Sequence, residues 1–567
     1  MIRPSARLIA AALMMTCGWL GSLPRAALAQ PGLTHLTPGA ITPGKTTEIT
    51  LHGTKLDGAL RVWTSFPAQV EVAAAESKQK NRTQAVCKVA LGTGAPIGIG
   101  GIAVTTADGV SDVVYLMIDD LPTIADGGKN HETATAQDIS LPTAIDGQCD
   151  GTLADYYRFA AKAGERISCE VVATRLGWDF DPLVRLLDAS GNELLLADDD
   201  AATGADTRFV FTSPANGQYL LELRDNRYKP GGRYRLRLGD FTLVSTTLPL
   251  LAQRGTPTDI SFRGPLVDSV PALTILPLGN ESGADAFGLT ARSASRQSSG
   301  WATLGVTDLP VCAEATRPAN SKDATRINIP CIVSGTLELP RERDLFGFEA
   351  AKGQQLRFRA ITRSNGSPAI LSLRLLDSAG KQIAESPVTD SDEPVLNFTP
   401  PADGTYTIAI EELAGRGGSD FVYAVECKPG QHFALLLKND KNNRLRYSLP
   451  AGGAFYLDVQ CQRTGYDGPI TLALDAHRTG WQVFNNVIAA KANEVRMYVQ
   501  PPLDWSAGEL AELQVVGRAQ SSGREITVAM STTVQLRLAR PQMPYPPRWH
   551  DGAIFVSGQG VKPGFFT

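Results

Sequence analysis

The chain has 567 residues, 20% of them charged, and a formal net charge of −4. It is too long for one hydrophobic core, and at about 100–150 residues per domain it predicts four or five. The balance of charge excludes a nucleic-acid binder, which needs a concentrated basic face, and equally an acidic solvating tail.

At the N-terminus Arg3 and Arg7 precede an apolar run from Leu8 to Leu23, followed by Ala27-Leu28-Ala29 and Gln30. This is the pattern of a signal peptide over 1–29, and the run is shorter than the roughly 20 apolar residues of a bilayer crossing. Export to the periplasm or beyond follows, with no later segment apolar enough to span a membrane. Cys17 lacks the Leu and small residues that precede a lipidated cysteine. Beyond the leader stand Cys87, Cys149, Cys169, Cys312, Cys331, Cys427 and Cys461, with no C-x-x-C, so zinc and thioredoxin-type sites have no support. An oxidising compartment makes disulfides the default. The sequence-local pairs are Cys149 with Cys169, Cys312 with Cys331 and Cys427 with Cys461, with small buried thiols as the alternative.

The middle of the chain repeats itself. Asp155-Tyr-Tyr-Arg-Phe159 matches Asp344-Leu-Phe-Gly-Phe348, and Arg185-Leu-Leu-Asp188 matches Arg374-Leu-Leu-Asp377, both at an offset of 189. Asp120-Leu-Pro122 meets Asp308-Leu-Pro310 at 188, while Gly217-Gln-Tyr219 meets Gly404-Thr-Tyr406 and Tyr234 meets Phe421 at 187. So steady an offset marks a duplicated domain. A fainter match, Gly44 to Gly53 with Gly255 to Gly264, extends the copy to the preceding block.

Apolar residues alternate with polar ones at Ile49 and Leu51, at Tyr234, Leu236 and Leu238, at Leu356, Phe358 and Ala360, and at Val534, Leu536 and Leu538. A period of two places one side-chain set against a core and the other in water, the pattern of a half-buried strand. Turn clusters such as Pro214-Ala-Asn-Gly217 separate these runs. The reading is an all-β chain of about five β-sandwiches: 30–122, 123–240, a partial one at 241–310, 311–428 and 429–540. A proline-rich, extended tail occupies 541–567.

The duplicated segment resembles the bacterial pre-peptidase C-terminal domain, a small jelly-roll-like sandwich. The residues that carry the resemblance are Asp155 to Phe159 with Gly164, Leu183 to Gly191, Asp198-Asp-Asp200, Asp206 to Phe211 and Gly217-Gln-Tyr219. The second copy replaces the acidic turn with Pro387 to Glu393. The blocks before each copy resemble immunoglobulin-like IPT/TIG domains, on Pro43-Gly44, one alternating strand and Gly53. The resemblance implies an accessory role in binding substrate or matrix, or in export and maturation, without catalysis; no peptidase domain accompanies the copies.

The sequence offers no catalytic motif. His131-Glu132 opens like a metalloprotease helix, but Thr135 stands where the second histidine is required, and there is no G-x-S-x-G elbow or P-loop. The one polar cluster is acidic: Asp179, Asp181, Asp198, Asp199, Asp200 and Asp206. Calcium takes six to eight hard oxygens, and loops could gather these carboxylates around it. Consecutive aspartates on a strand face opposite ways, so only a loop conformation makes a site; a solvated acidic turn is the competing reading. Trp63, Trp178, Trp301, Trp481 and Tyr466 are candidates for a sugar-stacking face or for core packing. The expected function is a noncatalytic exported binding or scaffold protein whose partner is an envelope protein, a secreted protein or an extracellular polysaccharide. An accessory subunit of a separately encoded hydrolase, and a cryptic hydrolase, are the alternatives.

Overall fold

A computed structural model describes residues 30–560 except 59, 74–81, 278–285, 316–322, 390–391, 440–443, 477, 522 and 544. The expected leader at 1–29, Asn81, which opens the sequon-like triplet Asn81-Arg82-Thr83, and His477 lie outside them. The described chain is nearly all β, divided among many sheets.

The first sandwich pairs Gly32–Thr37, Thr46–Thr54, Gln84–Leu91 and Ala68–Val72 in one sheet, and sets it against Ala40–Ile41, Val114–Ile118, Gly98–Thr106 and Arg61–Thr64. Its core holds Ile49, Leu51, Val89, Ile102, Val104 and Leu116. The third sandwich is a reduced version, with two three-stranded sheets that repeat the first one's central pairings. Thr46–Thr54 pairs antiparallel with Gly32–Thr37, as Thr258–Arg263 does with Thr246–Leu248.

The two duplicated segments share one topology. In the first, Thr123–Ala125, Thr143–Asp150, Pro230–Gly239, Arg166–Val172 and Arg208–Thr212 form one five-stranded sheet in that order. Gln137–Asp138, Asp155–Ala161, Gly217–Asp225, Pro182–Asp188 and Glu193–Ala197 form the other. The second segment repeats both strand orders, from Val311–Ala313 to Val395–Phe398 and from Thr325–Arg326 to Gln382–Glu385. Gly147 lies opposite Tyr234 and Gly335 opposite Tyr423. The structural counterpart of Tyr234 is therefore Tyr423 rather than Phe421, because two residues added between Gly404 and Tyr423 restore the offset of 189.

Two expectations at the C-terminus are corrected. Val534, Leu536 and Leu538 lie on an α-helix, Thr533–Ala539, not a strand. Five residues of alternation are too few to decide between periods; Leu536 alone of the three is buried, and Asp551 accepts hydrogen bonds from the N and Oγ1 of Thr532 at the helix start. Nor is the tail merely extended. Ile554–Gly558 completes the last sandwich between Arg446–Leu449 and Leu510–Ser521, its side chains buried.

The cysteines in the described residues carry free thiols. Cys149 and Cys169 lie on strands that flank Pro230–Gly239 on opposite sides, at least about 9 Å apart at two strand spacings, beyond the reach of a disulfide. Cys427 and Cys461 belong to different cores. Cys312 lies on the strand next to that of Cys331, but in register with Val333, two residues along.

Arg235 and Arg237 show how the domains are joined. They alternate with the core residues Tyr234, Leu236 and Leu238, so they point to the outer face of their sheet, yet both are fully buried. Asp119, at the end of the first sandwich, accepts from the Nε and Nη2 of both, at 2.8–3.2 Å. Arg235 also reaches Asp146 at 2.6 Å and Arg237 reaches Glu170 at 2.5 Å, and Arg237 donates to the Ser299 carbonyl of the third sandwich at 3.0 Å. Burial works against the Asp119 charge, but the two guanidiniums hold its carboxyl below the ordinary value. Glu170, also buried, is brought down to about 2 by Arg175 and Arg237.

Removing Asp119 leaves two arginines buried without their shared acceptor. Asp119→Ala is expected to lower the unfolding free energy by about 3–5 kcal/mol, read from urea denaturation. Because Glu170 titrates at about 2 when folded and 4.5 otherwise, its contribution is complete above pH 4.5 and is lost as pH falls towards 2. Melting scans over that range should show the decline, and Glu170→Gln should reduce it.

Candidate functional site

The six acidic residues singled out by the sequence do not meet at one point. Asp206 is fully buried; its carboxylate accepts from the Thr174 N and Oγ1 at 2.7 and 2.8 Å and from Arg175 Nε at 2.7 Å, capping the turn Thr174–Leu176. Asp200 accepts from the Ala202 N at 2.9 Å and pairs with Arg208 at 2.9 Å. Asp179 is held by Arg227 at 2.8 Å and Lys229 at 3.1 Å. Each of these three is committed to a cation or to backbone donors. Asp181, Asp198 and Asp199 do converge, with ligand oxygens within 4.8 Å of one another. Burial, opposed by Arg227 and joined by the neighbouring carboxylates, pushes Asp181 up; burial and Asp199 push Asp198 up. Three carboxylates are fewer than the six to eight oxygens calcium takes, so the rest of a shell would have to come from carbonyls and water.

The aromatic candidates are packed. Trp63 meets Phe555 edge-on at 4.8 Å and Trp481 meets Trp505 at 5.3 Å. Trp178 and Trp301 pack on the cluster that joins the first sandwich, the first copy and the tail, and Tyr466 lies in the last core.

A second constellation recurs in both copies and was not visible as a motif. In the first, Tyr234 donates to Asp155 at 2.6 Å and Tyr157 donates to Asp126 at 2.9 Å, with the two hydroxyls 2.5 Å apart. His131 Nδ1 lies 3.2 Å from the buried Asp155. In the second, Tyr423 donates to Asp344 at 2.7 Å and to Glu314 at 3.4 Å, while Phe346 stands where the first copy has Tyr157. Gly147 and Gly335 lie beneath the tyrosines, where an added Cβ would strike the phenol ring. Asp155 and Asp344 stand at the matched 189 offset, which was the available signal, but as strand residues they gave no sign that burial would follow.

In the second copy this constellation opens into a cleft of about 740 Å³ shared with the third sandwich. Asp259 comes from the third sandwich and Glu314, Glu338, Glu342 and Asp344 from the second copy, with Arg343 among the lining residues. Ser334 also lines it; its hydroxyl is buried without a hydrogen-bond partner. Burial, reinforced by the neighbouring Asp344, pushes Glu314 up to about 8, so the pair holds a proton at neutral pH. The arrangement suits holding a cation or a hydrogen-bond donor.

An acid whose folded value exceeds its unfolded value stabilises the protein most at low pH. The contribution of Glu314 is complete below 4.5 and is lost as pH rises through about 8. Glu314→Gln is expected to flatten the fall in melting temperature between pH 5 and 8, and to raise that temperature at pH 8; calorimetry across the range reads both.

A family model described as the bacterial pre-peptidase C-terminal domain matches residues 153–225 and 342–412. A probable subtilase-type serine protease of Deinococcus radiodurans is 41% identical over 70 residues, which are 12% of this chain and 9% of that protein. Among solved structures, the pre-peptidase C-terminal domain of a collagenase from Bacillus anthracis is 23% identical, covering 18% of this chain and 93% of its own at a TM-score of 0.16. The BSP domain of a biofilm-associated protein is 10% identical, with 89% and 95% covered and a TM-score of 0.14. The chain thus carries two copies of the bacterial pre-peptidase C-terminal domain.

Proposed function

We propose that this protein is a noncatalytic, exported binding scaffold that takes basic side chains of an envelope or secreted partner protein into its carboxylate-lined cleft. The observation that carries this reading is the cleft itself. Exposed Asp259 and Glu338 stand at its mouth and the Glu314–Asp344 pair lies deeper. The ring contacts of Trp63 with Phe555 and of Trp481 with Trp505 favour a protein partner over a polysaccharide, because stacking on sugar needs an open ring face. Among the described histidines, the positions support a noncatalytic reading: His35 and His52 stack on each other, His432 stacks on Phe433, His550 is buried against Tyr115, and His131 serves the first copy. We read the first and third sandwiches as IPT/TIG-like modules, supported by their shared central pairings, and the leader as the route of export.

The test is titration of the full chain with a fluorescent Lys/Arg-rich peptide beside acidic and neutral controls. Saturable binding that weakens as salt rises is expected, and Asp259→Asn with Glu338→Gln should weaken it about three- to tenfold. Equal binding of the acidic peptide would overturn the cleft reading. Turnover of a hydrolase substrate panel would overturn the noncatalytic one.

A further inference from the structure

Cys312, Cys331 and Cys427 occupy three neighbouring strands of the second copy. Cys331 and Cys427 face each other directly on antiparallel strands, where Cα atoms are about 4.5–5.5 Å apart, within the span of a relaxed disulfide. Cys312 lies on the other side of Cys331, on the three-residue edge strand Val311–Ala313. It is in register with Val333, two residues along from Cys331. Its thiol still meets that of Cys331, but the offset sets the Cα atoms about 8 Å apart, longer than a relaxed disulfide accepts. Cys331 is thus the middle thiol, in contact with both neighbours. The three do not close into a metal-type cluster. Among the described residues, Asp181, Asp198 and Asp199 form the one group of three or more such ligands within 4.8 Å.

We propose that these thiols form a disulfide-exchange relay, in which partly exposed Cys312 admits an oxidant and a buried Cys331–Cys427 disulfide is the product. The proposal rests on the exported reading only for its oxidising setting; the chemistry needs a small disulfide such as glutathione disulfide. The Cys312 thiolate attacks one sulfur of that disulfide, forming a mixed disulfide and releasing one glutathione thiolate. Cys331 then attacks the Cys312 sulfur and expels the second. Cys427 attacks Cys331, breaking its bond to Cys312, which leaves as a thiolate and recovers a proton. Cys331 and Cys427 have together lost two electrons and two protons, the external disulfide has become two thiols, and Cys312 is unchanged.

Burial explains why an entry point is needed: Cys331 is 1% exposed and Cys427 0%, closed to any external disulfide, whereas Cys312 is only partly buried. The neighbouring Cys427 and Cys312 thiols lower Cys331 from its ordinary value against the effect of burial, which suits it to attack in the second step. Burial and Cys331 push Cys312 up to about 11, so entry is the slow step. The final exchange runs towards Cys427 because the directly opposed pair fits disulfide geometry and the offset pair does not.

The experiment treats reduced full-length protein with glutathione disulfide, quenches by alkylation at intervals, and maps linkages by nonreducing digestion and mass spectrometry. The wild-type map, which needs no variant, should show Cys331 joined to Cys427 and Cys312 alkylated. Cys312→Ser should slow this oxidation by about tenfold or more without changing its product, and Cys427→Ser should leave Cys312 mainly as its glutathione mixed disulfide, because a lasting Cys312–Cys331 bond requires the edge strand to shift. A wild-type map with Cys331 unlinked, or oxidation of Cys312→Ser at the wild-type rate, would overturn the relay.

Discussion

Two arginines buried between sheets set the arrangement of the first half of this protein. A guanidinium taken out of water is costly unless acceptors surround it, and Arg235 and Arg237 obtain theirs from three domains. Asp119 comes from the first sandwich, Asp146 and Glu170 from the first copy, and the Ser299 carbonyl from the third sandwich. The adjacent Asp120 extends the junction, accepting from Ser299 Oγ at 2.8 Å. Removing the first sandwich would take Asp119 from both arginines, and removing the third would take the Ser299 carbonyl from Arg237, so the junction holds the three domains together.

The second copy solves the same problem by other means. Where the first has Arg235 and Arg237, it has Ala424 and Glu426 at the same 189 offset. Ala424 joins Leu250, Leu251, Ile332, Ile361 and Val422 in an apolar cluster against the third sandwich. One duplicated scaffold therefore supports a polar interface in its first use and an apolar one in its second. The inner constellation diverges too: Phe346 replaces Tyr157 and Glu314 replaces Asp126, so two carboxylates share a cavity that in the first copy is filled by a second phenol.

The tail ties the ends together. Tyr115 of the first sandwich bonds His550 at 2.6 Å, Trp549 Nε1 donates to the Ile99 carbonyl at 3.1 Å, and Gln542 donates to the Gly177 carbonyl of the first copy at 2.6 Å. Tyr545 and Arg548 reach Asp392 and Asn365 of the second copy, both at 2.5 Å. The last twenty described residues thus bridge the first sandwich, both copies and the final sheet, fastened largely by hydrogen bonds and aromatic contacts.

The amino-acid sequence by itself determined the all-β class, the duplication and the inward faces of strands such as Tyr234 to Leu238, because a period of two and a constant offset are local properties of the chain. It also marked Asp155 and Asp344 as equivalent. Only the tertiary structure decided what the outward faces do. Arg235 and Arg237 read as solvent-facing until Asp119, more than a hundred residues away, covers them. The acidic cluster read as one group until Arg175, Arg208, Arg227 and Lys229 each claimed a member. The three thiols read as separate pairs until strand order set Cys427 beside Cys331. Contacts between strands distant in sequence leave no periodicity behind, and for that reason the interfaces, the cleft and the thiol row emerged only from the folded chain.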